Sequence, residues 1–270
     1  MKKIDFDIAK LTPLLSHSSK GNQPKWRYRN KWYKIDSFGY ESLAEIVISR
    51  LLNGRVDALS YEPVQISYNG EVRMGSVSNN FLGEGDELYT LERLHLIFRG
   101  EGCAEQLDKI NSTEEKIQYT VDFIKDVTNI DNVGETLTTW LELDAMFLNE
   151  DRHTNNIAFV RDAEHNWRWA PYFDNGLSFL SDTKAYPTNV NYSIHKRKIK
   201  SKPFSDSFSK QVKAAEQIYG KRLKLQFTEA EIDAATKDLA GYYDEDCINR
   251  VKQILIGDSL FWTTVQKGQA

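Results

Sequence analysis

The pattern of apolar and polar positions changes period twice along the chain. Residues 41–53, ESLAEIVISRLLN, place Leu43, Ile46, Val47 and Leu51 at helical spacing, and Gly54 follows as a stop. On both sides of this helix the pattern alternates. KWRYRN and KWYKID are short aromatic segments around Asn30 and predict a β-hairpin, while PVQISYNGEVRMGSVS sets Asn69-Gly70 between two alternating runs, a strong hairpin signal. Residues 14–25, LLSHSSKGNQPK, are polar and turn-rich and read as a loop. The first eighty residues therefore predict hairpin, helix, hairpin. FLGEGDE, with Gly83 and Gly85, reads as a connector.

Beyond the connector the period is mostly helical. TLERLHLIF, EEKIQYTVDFIKDV and GETLTTWLELDAMFLN each space apolar residues for one helix face. NIAFVRD and NWRWAPYF then predict two short strands around 162–166. A polar stretch runs from Asp174 to about residue 207, and two or three helices follow, the last in DEDCINRVKQILIGDSLFWTTV. The expected class is α+β in two lobes: a small β-rich N-lobe with one helix, residues 1–82, and a larger, mainly helical C-lobe, residues 83–270.

Composition narrows the function classes. With 270 residues the chain can bury a substantial core, and 40% hydrophobic with 27% charged residues is ordinary for a soluble globular protein. The net charge of −4 provides no global basic field for DNA or an anionic membrane. Cys103 and Cys247 form no C-x-x-C pair, which speaks against a zinc site or a disulfide framework. No apolar run reaches membrane-spanning length, and the acidic residues of MKKIDFDIAKLTPLL argue against a secretory signal. A cytoplasmic location is the expectation.

The candidate chemistry lies in two loops. FLNEDRHTNNIAFV holds Asp151 and Asn156 five positions apart, a spacing that can put a carboxylate near an acceptor hydroxyl and an amide oxygen near a metal. YFDNG places Asp174 directly after a strand. Such a carboxylate suits Mg²⁺, which keeps oxygen ligands and bridges substrate phosphates, as phosphoryl transfer requires. Alone, Asp151 reads equally as a loop or cap residue; the set of three in this order makes the catalytic reading. His153 reads as a residue holding the loop, and Arg152 as either a phosphate contact or a solvated side chain.

Asp-(x)4-Asn, two strands and Asp-x-Gly resemble the catalytic and metal loops of the protein-kinase-like fold. DRHTNN is similar to the D-R-H-x-x-N of phosphatidylinositol kinases and to the D-x-H-x-x-N of HipA-like bacterial serine/threonine kinases. The N-terminal half resembles the second group. SSKGNQPK matches an S-x-x-G-x-Q-x-K phosphate loop at Ser18, Gly21, Gln23 and Lys25, and KWYKID resembles the strand bearing the ATP-contacting lysine, here Lys34. SLAEIVISRLL resembles the helix whose glutamate pairs with that lysine, Glu45 with Glu41 as fallback, and KPFSDSFSKQ resembles a stretch after the metal loop.

The resemblance implies a Ser/Thr protein kinase using ATP and Mg²⁺. Asp151 would be the base, and Asn156 and Asp174 the metal ligands. The nucleotide would meet the phosphate loop, Lys34, Glu45, Asn80 and Phe81 of the hinge SNNFL, and His153. It further implies autophosphorylation at Ser16 or Ser18, a toxin role with an aminoacyl-tRNA synthetase as target, and an antitoxin or a separate protein supplying the N-terminal subdomain of longer relatives. Two departures stand out: the metal loop reads DNG rather than DFG, and Asn155 occupies the place of the lysine often found before the catalytic-loop asparagine. The basic run HKRKIKSK, residues 195–202, reads as a solvated loop or a substrate-docking patch. The rival readings are a lipid or small-molecule kinase and a nucleotide-binding pseudokinase.

Overall fold

The computed structural model describes residues 3–4, 23–68 and 70–257. Strands β1 (Lys3–Ile4), β2 (Lys25–Tyr28), β3 (Lys31–Ile35), β4 (Tyr61–Tyr68) and β5 (Glu71–Asn79) form one sheet in the order β1-β4-β5-β3-β2, antiparallel except for the β1–β4 pair. The β2–β3 hairpin turns on Arg29 and Asn30, both left-handed with φ of 46° and 62°. Two such residues are what a tight I′ turn between twisted strands needs, and asparagine tolerates the conformation.

Register in this sheet positions the functional side chains. Lys25 lies opposite Lys34, and Lys34 opposite Ser76. Directly opposed residues of antiparallel strands point to one face, so these three form a row across the sheet. The other face buries Trp26, Tyr33, Ile35, Val64 and Ile66 as a small separate core.

Helix α1 (Glu41–Leu52) packs on the lysine face. It is buried almost all round, as a helix enclosed between two layers must be. Leu43, Ile46, Val47 and Leu51, its predicted stripe, belong to the same core as the C-lobe helices. The N-lobe sheet and the C-lobe therefore meet through α1.

The C-lobe runs β6 (Glu87–Thr90), α2 (Leu91–Arg99), α3 (Cys103–Asp108), α4 (Thr113–Thr128), α5 (Val133–Phe147), β7 (Ala158–Arg161), β8 (Trp167–Trp169), α6 (Tyr192–Lys196), α7 (Phe208–Tyr219), α8 (Glu229–Thr236) and α9 (Glu245–Ile256). The expected strands in 156–173 pair as β7 and β8, and β6 joins them in a three-stranded sheet of order β6-β7-β8. Strand β6, like α3 and α6, was not expected. Its four residues are too few to show a period, and Thr90 both ends the strand and caps α2 by accepting the Arg93 N–H. No helix among the described residues is long and apolar enough to cross a membrane.

Gly75 of β5, opposite Ile35 and Val64 on the apolar face of the sheet, comes close to the backbone of β3. A Cβ there would sit 2.2 Å from the Lys34 carbonyl oxygen and 3.2 Å from Ile66 Cδ1. Gly75→Ala is expected to cost about 1–3 kcal/mol, because strand β3 has to move. Urea denaturation of the variant beside the wild type checks this; equal midpoints would contradict the packing described.

Candidate active site

The row of lysines faces the loop that follows β8. Lys34 Nζ lies 2.5 Å from Glu45 Oε1 and 2.6 Å from Asp174 Oδ1, so one ammonium joins the sheet, α1 and the metal loop. Ser76 Oγ donates to Glu45 Oε2 at 2.7 Å and fixes the other carboxylate oxygen. Burial alone would discharge Lys34, but Asp174 and Glu45 outweigh it and hold its pKa well above the usual lysine range. Asp174 shows the converse: burial opposes its charge, yet Lys34 and Lys25 hold its carboxyl well below the usual range. Glu45 is raised, chiefly by burial, against the pull of Lys34. At neutral pH Lys34 and Asp174 are charged.

Glu41, the fallback partner, is occupied elsewhere. Its carboxylate accepts the backbone N–H groups of Ser37, Phe38 and Gly39 at 3.0, 2.7 and 2.9 Å, shaping the loop that enters α1. Lys25 stands beside the ion cluster. Burial lowers its pKa, with Asp174 opposing and Lys34 adding to the effect. Gln23 lies at the same edge and donates its Nε2 to the Ile35 carbonyl at 2.9 Å. Ser16, Ser18 and Gly21 lie outside the described residues.

Two cavities meet at Lys25, Lys34 and Asp174. One, of about 170 Å³, is walled by Trp32, Leu59, Tyr61, Leu82, Leu88 and Phe173 together with Asn80 and Phe81. Asn80 is tied in place: it accepts from Trp32 Nε1 at 3.2 Å, donates to Leu82 O at 3.1 Å, and its N–H donates to Asn30 O at 2.9 Å. Phe81 packs on Phe173 with ring centres 6.0 Å apart. The second, smaller cavity is lined by Gln23, Phe38, Glu41, Asp151, Gly176 and Leu177 beside the shared residues. An apolar slot opening onto lysines and carboxylates has the form of a site for a flat ring with a charged tail.

The loop after α5 is built by its own asparagines. Helix α5 ends on Leu148 in the left-handed conformation at φ 56°, and Asn149 Nδ2 turns back to Asp144 Oδ1 at 2.7 Å. Asn149 Oδ1 accepts the Asp151 N–H at 3.1 Å, and Asn156 Nδ2 donates to Asp151 O at 2.8 Å. That last bond engages the Asn156 amide nitrogen, so its amide oxygen is the atom that could meet a cation. His153 Nδ1 accepts the Asn155 N–H at 3.2 Å, capping a 3₁₀ turn over Thr154–Asn156, and its Nε2 lies 3.7 Å from Asp151 Oδ2. Burial lowers its pKa, which fits a neutral ring accepting at Nδ1. His153 is placed as a brace of the catalytic loop and lines neither cavity. Asp151 Oδ1 receives Lys202 Nζ at 3.0 Å, a contact that sequence reasoning did not single out.

Arg152 is neither a solvated side chain nor a phosphate contact. It is fully buried and paired with the equally buried Asp144, Nε to Oδ2 at 3.0 Å. Its Nη1 donates to Asn156 O and Phe173 O, both at 2.9 Å, and its Nη2 to Asn175 Oδ1 at 2.6 Å. Tyr172 adds a hydroxyl to Asp144 Oδ1 at 2.6 Å and a ring face 4.4 Å from the guanidinium. One side chain thus locks the loop after α5 to the loop after β8, and Asp174 completes the second loop at a left-handed φ of 60°. Asp144 and Tyr172 have no signal in a linear reading, because their partner lies on another element.

The residues fit a magnesium nucleotide. Asp174 is ionised, Asn156 offers an amide oxygen, and among the described residues no group of three His, Cys, Asp or Glu forms a complete metal cage. Magnesium commonly takes one or two protein oxygens and completes its shell with phosphates and water.

The architecture is that of the two-lobed, α+β, protein-kinase-like class. The chain is similar to the crystal structure of a Helicobacter pylori proinflammatory kinase, CtkA, at a TM-score of 0.59 and 16% identity, over 93% of this chain and 91% of that one. No family model and no curated protein matches the chain.

Arg152→Met leaves Asp144 buried without its counter-charge and should cost about 3–5 kcal/mol, read as a fall in the urea midpoint; a loss below about 1 kcal/mol would contradict the hub. Asp36 accepts the Ser42 N–H at 2.6 Å and the Tyr243 hydroxyl at 2.8 Å, and burial, with Glu41 beside it, pushes its pKa up to about 8. The folded protein therefore holds a proton that the unfolded chain releases above about pH 4, so this group's contribution to stability falls as pH rises from there to about 8. Asp36→Asn should gain stability relative to the wild type across that window, checked by denaturation at pH 5 and 8.

Proposed function

We propose that the protein is an ATP- and Mg²⁺-dependent serine/threonine protein kinase resembling the HipA-like kinases. The observation that supports this most is the Lys34 ammonium held between Glu45 and Asp174, where an apolar slot meets a second cavity lined by Asp151. In this reading the slot takes adenine, with hinge residues Asn80 and Phe81 at its edge. Lys34 and Lys25 meet the phosphates, and Gln23 belongs to the sequence motif that Ser18 and Gly21 share with the phosphate loop of the HipA-like kinases. Asn156 and Asp174 hold Mg²⁺, which supplies charge neutralisation on the phosphates.

Asp151 accepts the proton of the acceptor hydroxyl. The oxygen forms its bond to the γ-phosphorus as the bond to the β,γ-bridging oxygen breaks, and ADP leaves with that electron pair. His153 and Arg152 keep Asp151 and Asn156 in register and touch no reactant.

The finer assignments follow the sequence resemblance: a protein hydroxyl as acceptor, an aminoacyl-tRNA synthetase as a candidate target, an antitoxin or separate subdomain protein as partner, and autophosphorylation at Ser16 or Ser18. A phosphate there would add up to about two negative charges beside the nucleotide phosphates and oppose ATP binding. Arg197, Lys198 and Lys200 of the basic run are exposed and lead toward Lys202 at Asp151, which suits a docking surface for the substrate.

Radiolabelled ATP added to lysate tests the activity. Wild type should label one or a few protein bands, and Asp174→Asn and Asp151→Ala should label them at least about 10²-fold more slowly. Equal background labelling by all three would favour a pseudokinase, and label in the lipid fraction a lipid kinase. Mass spectrometry of the wild type after incubation with Mg·ATP should find phosphate on Ser16 or Ser18; its absence removes the autoregulatory reading.

A further inference from the structure

The catalytic loop has no cation of its own aimed at the transfer centre. Asn155 occupies the position two after His153, is exposed, and accepts the Thr90 hydroxyl at 3.2 Å, on the side of α2. Arg152 is spent on the buried hub, and Lys34 on Glu45 and Asp174. Yet the chemistry places negative charge here from two sources, the γ-phosphoryl oxygens and the carboxylate of Asp151. A preorganised cation at that point lowers the barrier, because it need not reorganise as the charge shifts.

We propose that Lys202, delivered from the segment between α6 and α7, is that cation and the positioning residue of Asp151. This rests on the kinase reading above. Lys202 Nζ lies 3.0 Å from Asp151 Oδ1, joining side chains that are 35% and 8% exposed. The segment that presents it is anchored on both sides. Ile199 and Phe204 are buried, Ser201 is buried with its hydroxyl on Ser205 O at 2.7 Å, and the Ser201 N–H donates to Asp206 O at 3.2 Å. Lys202 thus reaches the base from a fixed backbone. Its ammonium holds Asp151 Oδ1, and Oδ2, 3.7 Å from His153 Nε2, is the oxygen that takes the acceptor proton. With three donors on a compact charge, the same ammonium can also meet a γ-phosphoryl oxygen as the acceptor closes on it. The bonds made and broken are those of the transfer already described, and Lys202 adds none to them.

The test uses the full chain with Mg·ATP and casein as a generic acceptor, reading ADP release. Lys202→Met should lower kcat about 10²-fold while KM for ATP stays within about twofold, since the loss falls on the transferring group and not on nucleotide binding. Lys202→Arg keeps the charge with a different shape and should recover about tenfold of the loss. Thermal midpoints of both variants should stay within about 2 °C of the wild type. A wild-type or raised rate in Lys202→Met overturns the proposal, a raised rate marking the contact as inhibitory. So does a loss that arginine leaves unrelieved, or one accompanied by a fallen midpoint. If the wild type itself releases ADP no faster than Asp174→Asn, the kinase reading fails and takes this inference with it.

Discussion

The site depends on one ammonium shared by two carboxylates from opposite walls of a cleft. Lys34 comes from the N-lobe sheet, Glu45 from α1 and Asp174 from the loop after β8. Each partner alone would be costly to bury charged. Lys34 and Asp174 hold each other ionised while burial raises the pKa of Glu45, and the geometry sets the distance between the lobes at the point where phosphates would lie. Strand register accounts for much of it: pairing Lys34 with Lys25 and Ser76 brings two further polar groups to the same face, one beside the cluster and one on Glu45.

A second buried charge does for the loops what Lys34 does for the lobes. The Arg152–Asp144 pair has no solvent access and takes hydrogen bonds from or gives them to five residues of two segments, the loop after α5 and the stretch after β8. Such a pair adds little net stability over an apolar replacement, but removing one half is expensive. Its value is specificity: it permits one relative placement of Asp151, Asn156 and Asp174. The apolar continuity of α1 with the C-lobe core plays the same part on the other wall, keeping Glu45 in reach of the sheet.

Much of the fold was legible in the sequence because its signals are local. Asn30 and Asn69-Gly70 mark the hairpins, the stripe Leu43, Ile46, Val47 and Leu51 marks α1, and Asp151, Asn156 and Asp174 fall in loops bounded by clear elements. Strand β6 and helices α3 and α6 were missed because four to six residues show no period. Arg152 was misjudged for a different reason. Its burial depends on Asp144, eight residues earlier on α5, and on Tyr172 and Asn175 beyond the next strands, so nothing near it in the chain shows that it is enclosed. Lys202 was seen as the end of a basic run and the start of KPFSDSFSKQ, and its pairing with Asp151 was missed because that partner is 51 positions away.

The central claim is that the Lys34 cluster is a magnesium-nucleotide site, and calorimetric titration with ATP tests it without needing an acceptor. The wild type should bind ATP saturably in the presence of Mg²⁺ and much more weakly with EDTA, and Lys34→Met should lose most of the Mg²⁺-dependent heat while remaining folded. Absence of binding in the wild type, or equal binding by a folded Lys34→Met, would contradict the account.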